Sequence, residues 1–220
     1  MDVDVLSLFP QCFIGPFDES IIKRARENKL LNITLVDIRD FADNKHRRVD
    51  DRPYGGGPGM VMMAEPVTKA IRSVKRSNSH VVYMSPQGKP LTAEKCRELA
   101  EKEHLIVLCG HYEGVDERAL ESDVDEEISI GPYVLTSGCL PAMVLIDAAA
   151  RFIPGVLGNE ESAEADSFEN GTLDCPHYTR PEVFEGKSVP DVLLSGNHKK
   201  IAQWRSMKSR EKTAKLYPKT

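Results

Sequence analysis

The chain has 220 residues, 40% of them hydrophobic, which suits one medium domain with an appendage or two small domains and excludes a disordered polypeptide. No apolar run approaches the roughly 20 residues that span a bilayer; the start Met1-Asp2-Val3-Asp4 lacks a signal peptide's basic region, and five scattered cysteines (Cys12, Cys96, Cys109, Cys139, Cys175) without a CxxC pair suggest neither zinc site nor disulfide framework, so a cytoplasmic protein with reduced thiols is expected. The net charge of −5 divides into a basic tail, Gly196 to Thr220 with eight Lys or Arg and one acid, and a remainder with 21 basic and 33 acidic side chains, a pattern of either a polyanion-binding end or a solvated helix face.

The run Val3 to Phe9 reads as a first strand, Asp18 to Leu31 as a helix with apolar residues at helical spacing, and Ile33 to Ile38 as a second strand. Next comes the densest local signal, Asp50 to Met60 (DDRPYGGGPGM), preceded by the charged stretch His46 to Asp50. Adjacent glycines cost conformational entropy and make sense where backbone passes close to a ligand or needs positive φ, although a flexible surface loop is the plain alternative. The neighbouring cations suit phosphate and the carboxylates suit base edges. Met60 stands where the dinucleotide fingerprint Gly55-x-Gly57-x-x requires a third glycine, and no Lys-Ser or Lys-Thr follows, so neither that motif nor a Walker loop is present.

Pro66 suits a helix start, and Val67 to Lys75 continues the helical period. His80 to Met84 reads as a buried strand ending in the turn-rich Ser85 to Pro90, and Thr92 as the N-cap of a helix over Ala93 to Glu103. Leu105 to Cys109 is another buried strand ending in Gly110 to Gly114; Glu127 to Ile130 follows a short acidic helix and ends in Gly131 to Gly138; Leu140 to Phe152 is an apolar helix. Alternating strands and helices predict an α/β domain with a mostly parallel sheet. Three glycine-containing loops directly follow strands, where ligands of open α/β sheets bind, and their backbone groups suit a neutral base edge better than a triphosphate. Tight turns needed only for packing are the alternative. Asn159 to Gly171 is polar and acidic and reads as a linker; Gly186 to Pro190 is a loop, and Asp191 to Leu216 holds the last helical pattern, with Ile201, Trp204 and Met207 among cations.

Eight stretches in order, SLFP (Ser7 to Pro10), RPYGGGPGM (Arg52 to Met60), SPQG (Ser85 to Gly88), YEGVDER (Tyr112 to Arg118), RFIPGVLG (Arg151 to Gly158), DSF (Asp166 to Phe168), LDCPHYTRPE (Leu173 to Glu182) and LLSGNH (Leu193 to His198), carry a resemblance. They resemble the bacterial tRNA (guanine-N1)-methyltransferase family, SPOUT-class enzymes that use S-adenosylmethionine (SAM) on the guanosine 3′ of the anticodon, position 37. The resemblance implies a parallel α/β sheet ending in a trefoil knot (residues 1–158), a flexible linker (159–171) and a small helical tRNA-binding domain (172–220). It implies a homodimer with active sites at the subunit interface. SAM would sit bent among Tyr83, Met84, Ser85 and Pro86; Gly110, Tyr112, Glu113 and Gly114; Ile130, Gly131, Pro132, Tyr133, Val134 and Leu135; and Gly138 and Pro141.

The family chemistry needs a base, because guanine N1 carries a proton at neutral pH. By resemblance that base is Asp166, with Arg151 stabilising charge on guanine O6; from the residues alone Asp166 is one acid among Glu160, Glu161, Glu164 and Glu169. Glu113 would meet the SAM amino group or a Mg²⁺ ion that some members use. Asp50, Arg52, Gly55, Gly56, Gly57, Pro58 and Gly59 match the family's target-guanosine contacts. His177 and His198 read as structural or RNA-adjacent, and Trp204 as helix packing or a base-stacking platform. The usual knot loop, GDYVLSGGE, departs here: Pro132 removes a backbone donor, Ser137 stands for glycine and Cys139 for an acid. Most relatives continue with further helices past the SGNH motif, which implies a shortened RNA-binding domain. Methylation of another RNA position, and tRNA binding without catalysis, remain open readings.

Overall fold

Apolar runs that alternate with amphipathic helices assemble into one parallel sheet in the computed structural model, which describes residues 1–158, 167–168 and 171–217. The chain divides into two compact units, Met1–Glu160 and Glu161–Thr220. In the first, β1 (Asp2–Ser7), α1 (Ser20–Glu27) and β2 (Asn32–Asp37) precede a short antiparallel pair, β3 (Asp50–Asp51) with β4 (Val61–Met62). Then come α2 (Ala64–Val74), β5 (Ser79–Pro90), α3 (Ala93–Ala100), β6 (His104–Cys109), α4 (Glu117–Asp123), β7 (Glu126–Ser129) and α5 (Cys139–Ala150). The sheet order is β2-β1-β6-β5-β7, with every pairing parallel.

Both faces of this sheet are covered, which is why β6 reads as an unbroken apolar run in sequence. Side-chain alternation sends Val5, Val82 and Val107 to one face, where they join Leu99, Leu145 and Ile146. Leu6, Ile106 and Leu108 face the other way, against Val67, Ile71 and Leu120. One polar cluster is built into the sheet: buried His104 Nε2 meets Asp4 Oδ2 at 2.8 Å and its Nδ1 meets Ser79 Oγ at 2.6 Å. Its neighbour strands supply the partners, so the buried ring is satisfied on both nitrogens.

The expected strands and helices form, with differences at their ends. Residues 85–90 do not leave the sheet as a loop; β5 runs on to Pro90 through an irregularity in which Met84 and Lys89 both pair with Ile128 of β7. The short β3–β4 pair turns the glycine stretch into the tip of a paired excursion. Thr92 caps α3 as expected, its Oγ1 accepting from the Lys95 amide at 3.1 Å.

In the second unit, β8 (Val183–Phe184) and β9 (Lys187–Ser188) form a hairpin across Glu185 and Gly186, both at positive φ, the conformation that a two-residue turn demands. The last helical pattern breaks into α6 (Asp191–Leu194) and α7 (His198–Leu216) around Gly196, at φ 65°. The Asn197 side chain caps α7 by accepting from the Lys200 amide. Leu173 is tied to α7 in both directions: its amide donates to Thr213 Oγ1 at 2.8 Å and its carbonyl accepts from Ser209 Oγ at 2.5 Å. No helix among the described residues is long and apolar enough to cross a membrane.

Candidate functional site

The irregular stretch of β5 after Met84 and the segments that follow the neighbouring β6 and β7 converge on one cavity of about 270 Å³. Its lining includes Tyr83 to Gln87, Gly110 to Gly114, Ile128 to Gly131, and Tyr133 to Gly138 with Pro141. All the expected cofactor residues except Pro132 line this cavity, and Pro132 lies within its third loop. The loops are joined by backbone: the Gly138 amide donates to the Gly110 carbonyl at 2.8 Å. A Cβ on Gly138 would lie 2.8 Å from the Gly110 nitrogen and 2.9 Å from the Cys109 Cα. A Cβ on Gly110 would lie 2.7 Å from the Tyr83 hydroxyl. Those glycines are required by close approach of chain to chain.

Burial pushes the Tyr83 phenol up to about 12, with Glu127 and Glu117 adding to it, so Tyr83 acts as a neutral wall residue. Burial pushes the His111 imidazole down, so it faces the cavity neutral. Its Nδ1 is buried without a hydrogen-bond partner among the described residues. An orphaned polar atom on a cavity wall is what a site built for a polar ligand leaves when its ligand is not counted. In the third loop Ser129 Oγ donates to the Gly131 carbonyl at 2.9 Å, and the Tyr133 hydroxyl donates to the Ile130 carbonyl at 3.2 Å. Ser137 uses its hydroxyl to accept from the Cys139 amide at the start of α5.

The glycine stretch is latched to this cavity. The Glu113 amide donates to the Met60 carbonyl at 3.0 Å, the Met62 amide to Gly114 at 2.9 Å, and the Asp116 amide to Met62 at 2.9 Å. A Cβ on Gly59 would strike the Glu113 carboxylate. Gly55, Gly56 and Gly57 have φ of 85°, 79° and 115°, and Tyr54 beside them is wholly exposed. Asp50 and Arg52 thus stand at the base of a loop whose far end, Gly59, touches a cavity residue. The cations before it are already engaged: Arg47 pairs with Asp40 and, at 3.5 Å, with Asp37, and Arg48 pairs with Asp51. Such exposed pairs are weak and exchange readily for phosphate.

Of the two expected catalytic residues, only Arg151 is among the described residues, and it is not at the cavity. Arg151 is the C-cap of α5, a helix of 12 residues whose N-terminus borders the cavity. At 1.5 Å per residue that separates it from the cavity end by about 18 Å within one chain. Asp166, like its neighbours Glu160, Glu161, Glu164 and Glu169, lies outside the described residues. In the second unit His177 Nε2 meets Asp174 Oδ2 at 2.6 Å, and Trp204, half-buried, faces Tyr178 with ring centroids 6.3 Å apart. His111 was absent from the residue-by-residue expectations; its signal was its place inside the Gly110 to Gly114 loop.

The sequence profile of the tRNA (Guanine-1)-methyltransferase TrmD family matches residues 1–219. The chain belongs to this family. It is a methyltransferase enzyme. A relative from Protochlamydia amoebophila (strain UWE25), called tRNA (guanine-N(1)-)-methyltransferase, is 66% identical over 218 residues, covering 99% of this chain and 98% of that protein. Relatives of the same name from Chlamydia pneumoniae and Chlamydia trachomatis serovar D are 62% and 59% identical over 99% of this chain. This chain spans 60% and 62% of their lengths, so it matches relatives of two sizes.

Proposed function

We propose that this chain transfers a methyl group from SAM to N1 of the guanosine at position 37 of tRNA. The observation that carries the cofactor part is the cavity where three segments meet, two of them joined by the Gly138–Gly110 hydrogen bond, with the His111 Nδ1 unpartnered on its wall. Its donors and acceptors are mostly backbone groups and hydroxyls, beside apolar Ile130, Val134 and Leu135, a mixture that fits a neutral base edge with an aliphatic arm better than a phosphate. When bound, SAM supplies the methyl group and a neutral leaving group. Glu113 is the one carboxylate among the described lining residues and would hold the amino group of the donor. A hard cation there would draw most of its ligands from water or substrate, so no step is assigned to one.

The remaining work falls to side chains that align the guanine and move its N1 proton. Asp166 accepts that proton as N1 attacks, and the Arg151 guanidinium meets the negative charge that spreads to O6. The paired glycine loop carries Asp50 and Arg52 to the target base. Because Arg151 lies at the far end of α5 from its own cavity, we assign the arginine and the base of each active site to a second copy of the chain. Support comes from α5 itself, which is apolar on nearly every face yet leaves Leu140 and Val144 exposed, as are Tyr133 and Val134 of the preceding loop. A trefoil knot is part of the same proposal. The chain passes from β6 beyond β5 to β7 and then returns to bond at the end of β6, the kind of crossing a knot requires. The polyanionic partner, tRNA, agrees with the many cations along α7 from Lys199 to Lys215, and the cytoplasm with its substrate.

The test is methyl transfer from labelled SAM to an unmodified tRNA transcript with guanosine at position 37, against the same transcript with adenosine there. Label on the first alone is the expected result; label on both rejects the site. Asp166→Ala should lower turnover by at least a hundredfold while leaving SAM affinity within about twofold. Near-normal turnover would remove Asp166 from its role.

A further inference from the structure

One group of side chains in the second unit, away from the cavity residues in sequence, has the chemistry of a metal site. Asp174, Cys175 and His177 each offer one donor atom, and the carboxylate oxygen, the Sγ and the imidazole nitrogen all lie within 4.8 Å of one another. Asp174 is the hub. Its Oδ1 accepts from the Cys175 amide at 2.6 Å, which leaves Oδ2 to meet His177 Nε2 at 2.6 Å. Cys175 is 6% exposed, so its sulfur forms the covered side of the group. The Asp174 and His177 side chains stay 28% and 72% exposed, so an ion has a path in from solvent past the imidazole and the carboxylate.

The donors are held in place from outside the group. The Asp174 amide donates to Ser167 Oγ at 2.9 Å, and Leu173 is tied to α7 through Thr213 and Ser209. Lys212 Nζ contacts the Asp174 carbonyl at 3.5 Å and leaves the carboxylate to His177. A fixed backbone lowers the cost of assembling a coordination sphere. A thiolate, an imidazole and a carboxylate together suit zinc, whereas magnesium prefers an octahedron of oxygens. Zinc bonds of about 2.0 Å to nitrogen and oxygen and about 2.3 Å to sulfur set neighbouring donors of a tetrahedron roughly 3.3–3.6 Å apart. The group needs only small side-chain adjustments to reach that spacing. The missing CxxC pair hides it in the sequence, because its thiol is single and its partners are an acid and an imidazole.

We propose that Asp174 Oδ2, Cys175 Sγ and His177 Nε2 bind one zinc ion, with water as the fourth ligand. On binding, the Cys175 thiol gives its proton to solvent, and the metal replaces the hydrogen bond between His177 and Asp174. The imidazole then carries its proton on Nδ1, on the exposed side. The bound ion pins the segment that joins Ser167 to α7. Neither the cofactor nor the target base enters this proposal, so it stands or falls apart from the methyl-transfer reading.

The experiment uses the full chain, reduced and dialysed against a chelator, with cobalt(II) as the spectroscopic substitute for zinc. One equivalent should bind with a thiolate-to-cobalt charge-transfer band and the intense visible absorption of a tetrahedral ion, and zinc should bleach both. Cys175→Ser should abolish the charge-transfer band. His177→Gln should weaken cobalt binding at least tenfold. Cys12→Ser, which removes an exposed thiol elsewhere, should change neither. Circular dichroism checks that each variant is folded. If Cys175→Ser does not fold, His177→Gln decides, because that side chain is largely exposed. No charge-transfer band at a tenfold excess of cobalt, a band that survives Cys175→Ser or needs Cys12, or an affinity unchanged in His177→Gln overturns the proposal.

Discussion

The smallest residues set the tightest tolerances in this site. A methyl group on Gly138 meets the Gly110 nitrogen and the Cys109 Cα, both backbone atoms that cannot swing aside. Gly138→Ala should therefore lower stability by about 1–3 kcal/mol and weaken SAM binding at least tenfold. Gly158→Ala, where a Cβ meets only open space, should do neither. Thermal unfolding and a SAM titration of the two variants check this. A second residue-scale expectation concerns pH. The neighbouring Cys109, Ser7 and Ser137 hold the folded Cys139 thiol down at about 5, well below the ordinary thiol value. Its contribution is complete above the unfolded value and lost as pH falls toward the folded one. The stability difference between wild type and Cys139→Ser should then rise from pH 5 to pH 9. Denaturant melts across that window measure it, and a flat difference contradicts the assignment.

Between elements, the active face depends on how helices are tied behind the sheet. Arg72 of α2 reaches Asp123 of α4 with two bonds, Nε to Oδ1 at 3.0 Å and Nη2 to Oδ2 at 2.9 Å. Burial pushes the Asp123 carboxyl up, but the bonds from Arg72 and Ser122 outweigh it and hold it below its usual range. The arginine is largely exposed while the carboxylate is almost covered, so the value of the pair lies in satisfying the acid. Arg72→Ala should cost about 1–2 kcal/mol at neutral pH. That cost should shrink as pH falls through the folded Asp123 value, because a protonated carboxyl needs the arginine less. Melts at neutral and acidic pH test both halves. The same helix α4 follows the Glu113 loop, whose Asp116 amide donates to the Met62 carbonyl after the glycine stretch.

For the whole molecule, the proposed second copy accounts for two facts at once: an apolar stripe on α5 and an arginine far from its own cavity. Val144→Glu places a charge in that stripe without touching the core, since Val144 is 46% exposed. It should convert a dimer to a monomer and reduce methyl transfer at least a hundredfold, with each monomer still folded. Light scattering and circular dichroism decide it, and a wild-type monomer active at nanomolar concentration would end the shared-site reading.

Much of the first unit was legible because its signals are local. Buried parallel strands announce themselves as apolar runs, Thr92 and Pro66 mark helix starts, and glycine-containing segments after Met84, Cys109 and Ile130 mark the ligand edge of an α/β sheet. The motif order also determined the family. What distance in sequence hides, only the tertiary structure decided. Strand order is set by which faces can bury one another, so β6 lies between β1 and β5 with nothing in the local pattern to say so. Pairing with Ile128 carries β5 on to Pro90 where turn residues suggested an exit, since a neighbouring strand can outweigh local propensity. The approach of Ser7 Oγ to Cys139 Sγ, 3.3 Å apart though 132 positions separate them, follows from the same topology, which ends β1 at the start of α5.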